Sequence, residues 1–119
     1  MTEIQLGIAE SKFADIIWEN EPISTSELVK LAEAEFSWKR TATHTVVKRL
    51  CDKGLFVNNK GIVTSLIKRD QFYSLQTEKF VEDSFQGSLP AFIAAFTRNQ
   101  KLSDDEIKEI LKMIEEARE

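Results

Sequence analysis

A chain of 119 residues holds one domain, or one small domain with a short accessory element, and excludes two full-sized domains. Hydrophobic residues at 42% and charged residues at 30% allow a buried core under a wet surface, unlike a disordered chain. The net charge of −4 conceals a split: residues 1–36 hold two bases and eight acids, 37–69 hold eight bases against Asp52 alone, and 70–119 hold six bases and eleven acids.

In chain order, Ala9, Phe13, Ile16 and Ile17 recur at helical spacing and predict a first helix over 7–19, ended by Glu21-Pro22. Ser24-Thr25-Ser26-Glu27 reads as a capping box, with Ile23 and Leu28 as its hydrophobic staple. A second helix over 25–35 then buries Leu28, Leu31 and Ala32, and a third spans 40–53, closed by Lys53-Gly54. The period next shortens to Leu55-Phe56-Val57 and Ile62-Val63-Thr64, joined by Asn58-Asn59-Lys60-Gly61, a β-hairpin. Three helices followed by a hairpin form a winged helix-turn-helix, in which the third helix meets the DNA major groove.

The remaining residues predict three more helices. Phe72, Phe80, Val81 and Phe85 mark the first, Leu89 to about Arg98 the second with Phe92, Ile93 and Phe96, and a capping box at Ser103–Glu106 opens the third. That third helix carries Ile107, Ile110, Leu111 and Ile114 in one stripe. A unit of this size cannot hide so much apolar surface alone, and a second copy of the chain covers it most simply. The expected fold class is therefore mostly α with a small β-hairpin: a winged-helix DNA-binding domain over 1–70 and a helical dimerisation region over 71–119. Phe80, Phe85, Phe92, Ile93, Phe96, Ile107, Ile110, Leu111 and Ile114 are the expected dimer contacts.

On a helical wheel the third helix sets Ala42, Val46 and Leu50 opposite Thr41, His44, Thr45 and Lys48. Threonine offers a hydroxyl and a methyl to base edges, while lysine and arginine reach phosphates or guanine acceptors. Lys39, Arg40, Thr41, His44, Thr45, Lys48, Arg49 and, at the hairpin tip, Lys60 are the expected DNA contacts, with Lys68-Arg69 beyond the second strand as further cations. An ordinary solvated surface is the competing reading of such a helix, and its position before a hairpin favours DNA.

One cysteine, Cys51, and one histidine, His44, provide neither an internal disulfide nor a usual zinc or copper site, so no metal and no cofactor is expected. Cys51 reads as a packing residue rather than a redox sensor, and Trp18 and Trp38 as core residues. Asp104, Asp105 and Glu106 read as helix-start acids. No glycine-rich phosphate loop, nucleophile elbow or paired-histidine motif is present, which argues against an enzyme. No apolar run approaches the ~20 residues of a membrane span, and acids stand where a secretory signal is basic and apolar, so no membrane contact and a cytoplasmic location are expected.

Trp38-Lys39, Thr45, Arg49-Leu50 and Lys53-Gly54 fit the pattern W-K-x(5)-T-x(3)-R-L-x(2)-K-G, and here the sequence resembles the penicillinase-repressor family (BlaI/MecI/CopY). The likeness extends through Ala9-Glu10, Ile17-Trp18, Phe80-Val81, Gly87-Ser88-Leu89, Phe96 and Lys101-Leu102-Ser103 with Glu106-Ile107. It implies a homodimeric transcriptional repressor that binds a palindromic operator in double-stranded DNA, with Lys39, Thr41, Thr45 and Arg49 on the DNA-facing segment. Ala42, Thr43 and Ser11 depart from the family's usual residues. The tail lacks the cysteine cluster of copper-responsive members, and Ala95-Phe96 aligns with the Asn-Phe pair at which antibiotic-responsive members are cleaved, leaving an upstream sensor protease unassigned. The alternative function is a winged-helix protein-interaction module that does not bind DNA.

Overall fold

The computed structural model describes residues 6–119. Its elements are α1 (Ile8–Asn20), β1 (Ile23–Ser24), α2 (Thr25–Phe36), α3 (Arg40–Asp52), β2 (Phe56–Asn59), β3 (Ile62–Ser65), α4 (Arg69–Phe85), α5 (Leu89–Thr97) and α6 (Asp104–Glu116). The chain divides into two compact units, the first ending at Thr77 and the second covering Glu78–Glu119. The fold is mostly helical with one small antiparallel sheet, a winged helix followed by further helices.

In the first unit the strands lie in the order β1-β3-β2, with Phe56 opposite Ser65 and Ile23 opposite Val63. β1 is an addition to the expected elements: two residues are too short to show a period, and pairing with β3 alone makes them a strand. The inward residues of the sheet, Ile23, Phe56 and Val63, close over Phe13, Ala14 and Ile17 of α1, Leu28 and Ala32 of α2, and Val46, Val47 and Leu50 of α3. Each of these side chains larger than alanine contributes about 1.5–3 kcal/mol by leaving water.

On α1 the expected Phe13 and Ile17 are fully buried and Ile16 packs against the core. Ala9, expected inside, is exposed and Ala14 is buried instead, while Glu10 pairs with Lys53. The helix ends at Glu21, which takes the extended backbone that a following proline favours. Ser24 caps α2, its Oγ accepting from the Glu27 amide at 3.1 Å, which is the serine half of the expected box.

Trp18 lies half-buried at the end of α1, its ring centroid 5.1 Å from Phe56 and 5.4 Å from Phe72, and its indole N–H donates to the Ile67 carbonyl at 3.0 Å. Both ends of this amphipathic side chain are thereby satisfied. Phe72, on the first turn of α4, is fully buried in this core. Tyr73 beside it donates to Asp15 at 2.9 Å.

The second unit has no fully buried residue. Phe85 and Phe92 meet edge to face with centroids 5.6 Å apart, and Phe80 and Phe96 extend that aromatic row. The break between α4 and α5 falls at Gln86 and Gly87, both left-handed, and a Cβ on Gly87 would meet the Glu82 carboxylate at 2.9 Å. Ser88 caps α5, and Ser103 with Glu106 forms the expected reciprocal capping box of α6.

Candidate nucleic-acid interface

The candidate interface lies on α3, whose entry is set by the turn after α2. Ser37 is left-handed at φ 58°, and the Trp38 amide reaches back to the Ala32 carbonyl at 3.3 Å, a Schellman-type ending made with serine in place of glycine. The Trp38 ring then lies 4.8 Å from Phe36 and 5.4 Å from Phe13, which holds the start of α3 against α1 and α2.

α3 buries Thr43, Val46, Val47 and Leu50, the i, i+3, i+4, i+7 stripe of a helix packed on a core. Ala42, expected inside, is exposed, and Thr43 takes the inner place. The exchange is possible because the Thr43 hydroxyl donates to the Lys39 carbonyl at 3.2 Å, so only its methyl needs an apolar surrounding. The remaining face exposes Lys39, Arg40, Thr41, His44, Thr45, Lys48 and Arg49 together.

Two of these side chains are already engaged. The Thr45 hydroxyl donates to the Thr41 carbonyl at 2.9 Å, which leaves its methyl and its lone pairs for an outside partner. The Lys48 ammonium lies 3.1 Å from the Asp52 carboxylate. The i, i+4 spacing of that pair is legible in the sequence.

The hairpin turn is tighter than expected. Asn59 pairs with Ile62, so Asn58 and Asn59 belong to β2 and only Lys60 and Gly61 make the turn, at φ 53° and 88°. Two consecutive positive φ values are those of the hairpin turn that matches strand twist. Asn58 Oδ1 accepts from the Gly61 amide at 2.9 Å, and the Gly61 carbonyl accepts from the Thr25 amide at 2.8 Å, which joins the hairpin tip to the start of α2. Lys60 stands exposed at that tip.

The eight bases of residues 37–69 do not share one role. Lys53 pairs with Glu10 at 3.1 Å with both side chains largely covered, and Arg69 pairs with Asp15 at 3.4 Å and Glu19 at 3.3 Å, so these two fasten α1 to the ends of α3 and α4. Arg69 is therefore a structural cation. Lys39, Arg40, Lys60 and Lys68 make no ion pair among the described residues, and exposed Arg49 lies close enough to Glu10 to favour its charged form. Cys51 is half-buried, and burial, then neighbouring Asp52, push its thiol pKa up, which disfavours the reactive thiolate.

The expected dimer residues have mixed exposure. Phe80, Ile93, Phe96, Ile107, Leu111 and Ile114 are exposed, while Phe85, Phe92 and Ile110 are half-buried. Ala95 and Phe96 both stand exposed within α5. No helix of the described residues is long and apolar enough to cross a membrane.

Comparison with known proteins gives one consistent family. A family model described as penicillinase repressor matches residues 6–116. A penicillinase repressor of Bacillus licheniformis is 26% identical over 116 residues, covering 94% of this chain and 91% of that protein. The methicillin resistance regulatory protein MecI of Staphylococcus aureus is 22% identical over 92% of this chain and 93% of its own. A penicillinase repressor of the same species is 22% identical over 91% and 89%.

Proposed function

The chain belongs to the penicillinase repressor family, whose members are transcriptional regulators and not enzymes, and from that premise we propose that it is a homodimeric repressor that binds a palindromic operator in the cytoplasm. α3 enters the major groove, its exposed Thr41, His44, Thr45 and Lys48 meet base edges, and Lys39, Arg40, Arg49 and the hairpin tip at Lys60 meet phosphates. The observation that carries this reading is the exposed face of α3, where hydroxyls and cations line one side of a helix whose other side is fully committed to the core. A duplex carries a dense row of negative charge that such a face complements.

Support for the dimer comes from the second unit, where Phe80, Ile93, Phe96, Ile107, Leu111 and Ile114 remain exposed and no residue is fully buried. A two-fold contact sets the same apolar surface against itself, and two copies of α3 then read two half-sites related by the same symmetry. Selection of bound sequences from random duplex DNA with the full chain tests both parts. An enriched inverted repeat is the expected result. Absence of enrichment, with binding to a protein instead, would replace the repressor by an interaction module.

A further inference from the structure

Asp52 is the one acid among residues 37–69, and it occurs on the outward side of α3. At 100° per residue, Thr41, Thr45, Lys48 and Asp52 fall at i, i+4, i+7 and i+11, within about 60° of one another. The carboxylate accepts from Lys48 at 3.1 Å, and the two side chains are 66% and 78% exposed. Stability does not account for it. An exposed pair of this kind contributes little, lysine ahead of the acid is the weaker order along a helix, and an acid in the last turn opposes the helix dipole. It also repels the polyanion that the same face is built to meet.

We propose that Asp52 is a specificity-determining residue that positions Lys48 for a base and withholds it from phosphates; this rests on the DNA-binding reading above. The ammonium has three N–H donors, so one bond to Asp52 leaves two for the acceptors of a guanine edge, and the pair arrives at the groove with its geometry set. On DNA of any other sequence the protein is held by phosphates alone, and there the Asp52 charge cancels that of Lys48. Non-specific binding loses one cation, while operator binding keeps a directed donor.

The test compares Asp52→Asn, Lys48→Ala and the double variant with the parent on the selected operator and on a scrambled duplex of equal length. For Asp52→Asn we expect the slope of log affinity against log salt on scrambled DNA to steepen by about 0.9, with binding there up to about eightfold tighter near 0.1 M salt. The operator slope stays unchanged, so the ratio of operator to scrambled affinity falls, and the double variant shows none of the gain. An unchanged slope on scrambled DNA overturns the proposal, as does a gain that persists without Lys48. A loss of operator affinity with scrambled binding unaltered also overturns it, and makes Asp52 itself the base contact. If the parent enriches no duplex, the DNA-binding reading fails first and this one with it.

Discussion

The carboxylate of Glu10 on α1 lies 3.1 Å from the ammonium of Lys53 just beyond α3, with 17% and 21% of the two side chains exposed. Glu10 also accepts from the Gly7 amide at 3.4 Å, so one side chain both opens α1 and ties it to the helix that carries the candidate interface.

That relationship predicts a pH dependence. Burial alone would raise the Glu10 pKa, but the bonds from Lys53 and Gly7 and the nearby Arg49 together hold it below the ordinary 4.5. A carboxyl with a lowered folded pKa contributes stability that is present above its unfolded value and is lost as pH falls through the folded one. Glu10→Gln keeps the shape and removes the charge, and should cost about 1–2 kcal/mol near neutral pH, between exposed and fully buried pairs. Urea unfolding should show that difference shrink as pH falls below 4.5 and through the lowered folded pKa, below which both forms are neutral.

Trp18 makes a second stability prediction. Trp18→Phe preserves most of the ring contacts with Phe56 and Phe72 but orphans the Ile67 carbonyl, and should cost about 1–3 kcal/mol. Trp18→Ala also opens a cavity and should cost more, about 3–5 kcal/mol. Equal losses for the two variants in denaturant titrations would remove the indole bond from the account.

At the hairpin tip, Lys60→Asn is the informative change, because asparagine tolerates the positive φ of that turn and only the charge is removed. The salt slope of operator binding should become shallower by about 0.9. A slope equal to that of the parent would mean that the tip stays clear of the backbone.

Because the Thr45 hydroxyl gives its one proton to the Thr41 carbonyl, the side chain has no free donor for a base acceptor, and base discrimination should pass mainly through the methyl. Thr45→Val should bind the operator like the parent, and Thr45→Ala should lose about 1–3 kcal/mol of preference over scrambled DNA. Competition titrations in which the two substitutions behave alike would assign the contact to another residue.

For the dimer, Leu111→Asp places a charge on a side chain that is 59% exposed in the protomer, so the protomer itself loses little. If α6 lies in the two-fold contact, the charge must be buried there, and sedimentation should show monomers. Operator affinity should then fall by about 100-fold or more, since two linked modules gain about that much from acting together.

The chain by itself determined the elements whose causes are local. Ser24 caps Glu27 and Ser103 caps Glu106 across three residues, and the apolar spacing of α2, α3 and α6 is complete within each helix, so composition and period were enough to locate them. The Lys48–Asp52 pair is equally local, an i, i+4 contact within α3. Tertiary structure decided what depends on distant partners: the Trp18 bond to Ile67 spans 49 residues and the Arg69 bond to Asp15 spans 54. The second of these turned Arg69 from an expected DNA cation into a clamp, and pairing with the distant β3 made a strand of Ile23–Ser24. The choice of Thr43 over Ala42 for the inside of α3 has the same origin. Hydropathy prefers alanine, but the angle at which α3 meets the core selects the side chain by direction, and a hydroxyl satisfied within its own helix can be buried at little cost.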